Sequence, residues 1–210
     1  MRISDALWAK KPKVPVIGRD IWLPLRSHMS DSAGIARKIW KEWLPPGTKE
    51  TIASGVLPAE GGGDDLAGQI FVLLAAAHDL GKASPVFQSK GSPITAQLDE
   101  LIVQNIRDVG LTLKRNQEYN ERSASHHSLV SHLILERHGF DESVSVVLGA
   151  HHGKPPGSGQ LNNISAYSVN CGFDDEQWMR AQDELLNYAL ELAGLSKADA
   201  VGIELRKTAQ

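Results

Sequence analysis

Cysteine is almost absent from this chain: Cys171 stands alone among 210 residues. One thiol closes no intramolecular disulfide and builds no multi-cysteine zinc site, and such usage suits a reducing cytoplasm. A lone cysteine is more often inert than catalytic. Long apolar runs are missing as well. The longest, Leu66 to Ala77, is interrupted by Gly68 and Gln69 and falls well short of the roughly 20 residues of a spanning helix, so it reads as a core helix and no membrane partner is expected. The opening MRISDALWAKKPKVP has basic charge without a following apolar segment, which excludes a typical secretion signal and leaves a cytoplasmic location as the expectation. Nor is there an excess of positive charge. With 22 Lys and Arg against 25 Asp and Glu, the net charge is -3, so any nucleic-acid contact has to be local. Strand alternation and internal repeats are also lacking.

What remains is helical. Composition is that of an ordinary globular protein, and 210 residues suffice for one substantial core, read as a single domain over 1–210. Residues 1–27 carry Pro12, Pro15, Gly18 and Pro24 and form an irregular lead-in. A helix is expected from Ser30 to Trp43, with Ala36, Ile39, Trp40 and Trp43 on one face, Ser30 or Asp31 as cap, and Pro45-Pro46-Gly47 as its end. Residues 54–65 form a glycine-rich loop. Asp64 or Asp65 caps a helix over 66–80 that closes on Gly81 as a left-handed C-cap. Further helices are expected over Ile94 to Val109 (Leu98, Leu101, Ile102 and Ile106 inward), 125–138, 142–152 and Asp175 to Leu192, the last followed by a polar tail. Residues 154–172 read as a long loop. The fold class is all-α.

The histidines carry the chemistry. In the helix over 142–152, Val144, Val147, Leu148 and His151 fall at i, i+3, i+4 and i+7, so His151 continues an inward stripe and His152 follows at the helix end, marked by Gly153. The same geometry recurs over 66–80, where Phe71, Leu74, Ala75 and His78 share a face and Asp79 follows. His127 aligns with Val130 and Ile134, and His28 precedes the first helix. Each of these rings, taken singly, also reads as a hydrogen-bonded core histidine. Together, a His-Asp and a His-His pair at two helix ends, with two more histidines aimed at the same interior, point to a metal site. His126, His132 and His138 are read as structural, His138 as a ring whose positive charge suits a helix C-terminus. Lys82 reads equally as a cation for a phosphate or as a surface lysine at a helix end.

Imidazoles with a carboxylate and no thiolate favour Fe, Mn, Ni, Co or Zn over Mg or Ca. A carboxylate such as Asp79 can bridge two ions, so one or two are expected. Two ions about 3.5–4 Å apart can activate water and stabilise both oxygens of an in-line displacement at phosphorus, which makes phosphodiester hydrolysis the natural assignment.

These residues resemble the HD superfamily of metal-dependent phosphohydrolases, named for the pair seen here as His78-Asp79. LWAKKP (7–12), WLPLRSHMSDSAGIARKIW (22–40), AAAHDLGKASPVFQ (75–88), SHHSLVSHLIL (125–135) and LGAHHGKPP (148–156) together resemble the HD nuclease domain of type I CRISPR-associated nuclease-helicases, most closely the I-E branch. The resemblance implies an HD-domain helical bundle with long irregular loops that cuts single-stranded DNA with divalent transition metals. Carried over by position, it makes His28, His78, Asp79, His127, His151 and His152 metal ligands, with Asp79 and Lys82 serving catalysis. It implies helicase domains in the same full-length protein and recruitment by the Cascade surveillance complex. Two alternatives stand beside it: a phosphohydrolase acting on nucleotides, and a catalytically inactive interaction module. The chain departs from the family pattern at Ser128, where an acidic residue is usual. It also lacks the late Ala-Asp-Trp motif that completes the metal shell, since Asp199 is followed by Ala200. The expectation is a fragment of a longer nuclease-helicase without its last helix.

Overall fold

A computed structural model describes residues 2–13, 21–57, 65–92, 96–163 and 167–206. Pro15, Gly18, Asp64, Ile94 and most of the expected loop over 54–65 lie outside the described residues. A 3₁₀ turn, Ile3–Ala6, leads into β1, Trp8–Lys10, which pairs antiparallel with β2, Leu23–Pro24. Helix α1, Leu25–Lys38, starts directly after Pro24. That is earlier than the Ser30 boundary, because the buried stripe Leu25, Met29, Ala33 and Ala36 extends the helical face N-terminally. The helix then widens into a π turn, Ile39–Trp43. Its altered register leaves Trp40 buried and turns Trp43 out, 78% exposed, so the expected inward stripe fails at Trp43.

Pro46 opens a helix as well as closing one: α2 is Pro46–Ser54, with proline in the first turn where its missing N–H costs nothing. Strand β3, Val56–Leu57, follows, then α3, Leu66–Ala77, preceded by Asp65. The Asp65 carboxylate does not cap α3 but accepts the Trp40 indole N–H at 3.0 Å. After a 3₁₀ turn, Leu80–Lys82, come α4, Pro85–Gln88, and α5, Ala96–Asp108. Leu98, Ile102 and Ile106 line the buried face of α5, whereas Leu101 lies off it, 40% exposed.

Helices α6, His127–Arg137, and α7, Glu142–Gly149, pack against each other. Within the segment expected to be pure loop lie two one-turn helices, α8, Ser158–Leu161, and α9, Ser168–Cys171. Helix α10, Glu176–Ala193, buries Trp178, Ala181, Leu185, Ala189 and Ala193 along one face. The expected tail is partly structured: α11, Lys197–Val201, leads to β4, Glu204–Leu205, which pairs with β3. Both strand pairs are too short to alter the all-α class. Helix α3 packs between α1 and α10, and α6 packs on α7 and on the 3₁₀ turn. No described helix is long and apolar enough to cross a membrane.

Asp175 shows how locally this scaffold is specified. Its carboxylate accepts the Gln177 and Trp178 amides at 2.9 and 3.3 Å and the Thr112 hydroxyl at 2.9 Å. Asp175→Ala is expected to cost about 1 kcal/mol, read as a lower urea midpoint at unchanged m value.

Candidate metal centre

Four helix ends converge on one carboxylate. Helix α3 ends at Ala77, so His78 and Asp79 sit where its C-terminal carbonyls favour positive charge. His151 and His152 hold the same position after α7, which ends at Gly149 rather than continuing to 152. His28 lies within the first turns of α1, not before it, and His127 is the first residue of α6.

Gly81 brings these ends together, in a way the sequence does not show. It does not adopt the left-handed conformation expected of a C-cap. Its amide donates to Ser131 Oγ at 2.8 Å, and a Cβ there would overlap the His127 carbonyl and the Ser131 amide. Glycine thus lets the turn after Asp79 lie directly on α6. Gln88 fixes the same turn from the other side. Its buried amide group accepts the Trp8 N–H at 3.1 Å and donates to the Trp8 and Lys82 carbonyls at 2.9 Å each.

The two Asp79 oxygens face different partners. Oδ2 lies 2.8 Å from His28 Nε2, 3.1 Å from His78 Nε2 and 2.6 Å from Lys82 Nζ. Oδ1 lies 3.1 Å from His127 Nε2 and 3.6 Å from His151 Nε2. Two triads, His28/His78/Asp79 and Asp79/His127/His151, each bring their donor atoms within 4.8 Å of one another and share the carboxylate. His152 Nε2 stands 3.0 Å from His127 Nε2. In two of the rings Nδ1–H donates to a backbone carbonyl, His78 to Ala75 at 2.8 Å and His151 to Leu148 at 2.7 Å. This tautomer aims the Nε2 lone pair inward, as metal-ligating histidines require. The buried Nε2 of His151 has no hydrogen-bond partner. An orphaned nitrogen facing a shared carboxylate fits a divalent cation.

The chain matches the family model described as "Cas3, HD domain" over residues 8–210. It belongs to the Cas3 HD-domain family. It is 30% identical to the CRISPR-associated nuclease/helicase Cas3 of Streptococcus thermophilus, covering 92% of this chain and 22% of that protein. Identity to the CRISPR-associated endonuclease/helicase Cas3 of Thermus thermophilus is 27%, over 90% of this chain and 18% of that protein. The chain therefore spans about a fifth of the length of these relatives. Among solved structures, a CRISPR-associated protein superposes with a TM-score of 0.72 at 27% identity, covering 91% of this chain and 20% of its own. T. fusca Cas3 shares the fold with a TM-score of 0.58 at 22% identity, over 90% of this chain and 19% of its own.

Within this Cas3 HD fold, the six residues expected as ligands all surround Asp79 or His127. The α3 stripe needs correction: Ile70, Leu73, Ala76 and Ala77 are fully buried, whereas Phe71, Leu74, Ala75 and His78 are half-buried. His78 therefore sits at the rim, its side chain 30% exposed. Val147 likewise faces solvent, 41% exposed, while Val144 and Leu148 are buried. Lys82 is buried against Asp79 and is not a surface lysine. His138 is not a cationic cap. Burial and the neighbouring Lys197 lower its pKa, and its ring accepts from Lys197 at 2.8 Å while facing Asp183 at 2.9 Å. His132 is fully buried on α6, 3.1 Å from Glu136. Asp199 is exposed and bonds Ser196 at the start of α11. Burial raises the Cys171 thiol to about 12, which keeps it inert.

His126, read as structural because it lies off the stripe of His127, Val130 and Ile134, comes close to the candidate ligands. It caps α6 from outside the helical face, yet its donor atom lies within 4.8 Å of those of His127 and His152. Ser128, at the position usually acidic in the family, holds the His126 ring through Nδ1 at 2.9 Å.

The electrostatics divide the ligands by protonation state. Burial opposes ionisation of Asp79, but hydrogen bonds from His127, His28 and His78 outweigh it and hold the carboxyl far below the usual carboxylate range. Burial lowers His127 to about 4 against the pull of Asp79, so its ring is neutral and ready to bind. His78 runs the other way: burial is outweighed by the Asp79 hydrogen bond and charge, and its pKa is raised above 6.5. Since His78 Nδ1–H is committed to Ala75, the added proton occupies Nε2, the ligand atom. Metal affinity is therefore expected to fall as pH drops through the raised His78 value, by up to ~tenfold per unit. Calorimetric titration with Mn²⁺ between about pH 8 and 5.5 checks this; a flat profile contradicts it.

Proposed function

We propose that this chain is a metal-dependent nuclease domain that hydrolyses phosphodiester bonds of single-stranded DNA in type I CRISPR interference. In this reading it acts beside helicase domains of the same longer protein, after recruitment by the Cascade surveillance complex. The observation that carries the chemistry is the shared carboxylate: Asp79 presents one oxygen to His28 and His78 and the other to His127 and His151. His152, beside His127, completes the second ligand set.

Nitrogen and oxygen donors without a thiolate suit Fe, Mn, Ni, Co or Zn. When bound, two such ions supply an activated water and stabilise the attacking and leaving oxygens of an in-line displacement. The protein residues do the positioning. Asp79 fixes the spacing of the two ligand sets, and the carbonyls of Ala75 and Leu148 hold the tautomers of His78 and His151. Lys82 Nζ, 2.6 Å from Asp79, keeps a positive charge beside the phosphoryl oxygens as they become more negative. The names of the relatives, nuclease/helicase and endonuclease/helicase, support the reading of one working part within a larger machine.

Incubation with Mn²⁺, Co²⁺, Ni²⁺ or anaerobic Fe²⁺ and circular single-stranded DNA tests the proposal. Linear and shorter products are expected. A metal-loaded protein that releases phosphate from nucleotides but leaves the circle intact would overturn it in favour of a nucleotide phosphohydrolase.

A further inference from the structure

The side chain of Phe87 organises a second group of charges next to the metal ligands. Its ring centroid lies 5.5 Å from that of His127, 5.5 Å from Lys82 Nζ and 4.4 Å from Lys90 Nζ. Lys82 is ion-paired with Asp79, and Lys11, which donates to the Lys90 carbonyl at 2.6 Å, is ion-paired with Asp99 at 2.6 Å. Lys90 has no such partner. Among the described residues no carboxylate pairs with it, nor with Arg122, whose Nε is buried without an acceptor. Burial of Lys90, with the nearby charges of Arg122 and Lys82, lowers its pKa. Arg122 stands four residues before His126, whose ring centroid lies 4.4 Å from that of His127, so its turn borders the same histidines.

Arg122 is held there by a built turn. Glu121 adopts a left-handed conformation with φ 46°, uncommon for a residue with a side chain. Buried Asn170 clamps both flanks, donating to the Asn120 carbonyl at 2.6 Å and to Ser125 Oγ at 2.8 Å. The Ala124 amide closes the turn on the Glu121 carbonyl at 2.9 Å. A chain with net charge -3 thus concentrates unneutralised cations beside its histidines, an arrangement that an anion stabilises.

We propose that Lys90 and Arg122 form a phosphate subsite that grips the backbone of a single-stranded substrate next to the scissile phosphodiester. The inference rests on the nuclease reading and adds a direction to it: the strand leaves the metal centre past His126 and Phe87 toward the turn at residues 119–125. Lys90 supplies a point charge and Arg122 a planar donor array suited to phosphate oxygens.

The test is fluorescence anisotropy of a labelled single-stranded oligodeoxynucleotide over a salt series, with the unaltered chain and with Lys90→Ala/Arg122→Ala. Loss of two phosphate contacts is expected to weaken binding about tenfold at low salt and to flatten the slope of log K against log salt by about 1.4, at ~0.7 per contact. Lys90→Arg is expected to keep most of the affinity. Metal content and melting temperature of each variant report whether the fold is retained. Unchanged affinity and slope in the correctly folded double variant overturn the proposal, as does a loss of affinity for inorganic phosphate alone with none for the strand. The nuclease reading fails separately, in an unaltered protein that binds the strand and does not cut it.

Discussion

Asp79→Asn is expected to remove metal from both ligand sets at once. The substitution keeps the shape of the side chain but replaces one oxygen by an NH₂ group, so a carboxylate that faces two sets of histidines can no longer serve both. Removing His78 or His151 instead takes one donor from one set, so the asparagine variant should lose the most. A fall in nuclease rate of ~10⁴-fold or more, about 5.5 kcal/mol in barrier, is expected. The metal-free protein should suffer as well, because Lys82 is buried against Asp79 at 2.6 Å. Leaving an uncompensated buried ammonium typically costs about 3–5 kcal/mol. Metal analysis, single-turnover cleavage and a urea melt in chelator read the three effects. Full metal content in a folded Asp79→Asn protein would show that the carboxylate is not the shared ligand.

The second large effect is expected from the smallest side chain in the site. Gly81→Ala places a methyl group against the His127 carbonyl, the Ser131 amide and Val130 Cβ. Two of these three are main-chain atoms of α6, which is buried from His127 to Leu135 and cannot yield easily. Overpacking of this kind costs about 1–3 kcal/mol and at times more, equivalent to a melting temperature lower by roughly 2–12 °C for a chain of this size. Separation of the turn from α6 should also weaken metal binding, since His78 and Asp79 ride on one side of that contact and His127 on the other. A melting temperature and metal affinity equal to the unaltered chain would contradict the role assigned to Gly81.

The helices were largely legible because long buried faces repeat in sequence. Leu98, Ile102 and Ile106 in α5 lie inward as their spacing implies, and α10 falls where the last helix, Asp175 to Leu192, is expected. Errors arose where local geometry departs from a regular helix. Trp43 turns outward after a π turn, and α1 begins before its polar residues suggest. In α6 every residue from His127 to Leu135 is buried, so burial does not distinguish His127 from His132. The spacing of His78-Asp79 and His151-His152 gave the candidate ligands. The way in which the two oxygens of Asp79 divide them depends on distances no spacing encodes. Gly81 read as a helix terminator because glycine has two uses, positive φ and close approach, and only the packing against α6 distinguishes them. Lys90 and Arg122 carry no sequence signal, since they stand at positions 90 and 122 and the turn that holds Arg122 beside His126 is fixed by the remote Asn170.

Anomalous diffraction from Mn²⁺-loaded crystals, paired with elemental analysis of the same protein, tests the central claim most directly. Two peaks about 3.5–4 Å apart are expected, one on each side of Asp79, the first ligated by His28 and His78 and the second by His127, His151 and His152. A folded protein with no peak at Asp79, or with metal bound only at sites away from it, would contradict the account.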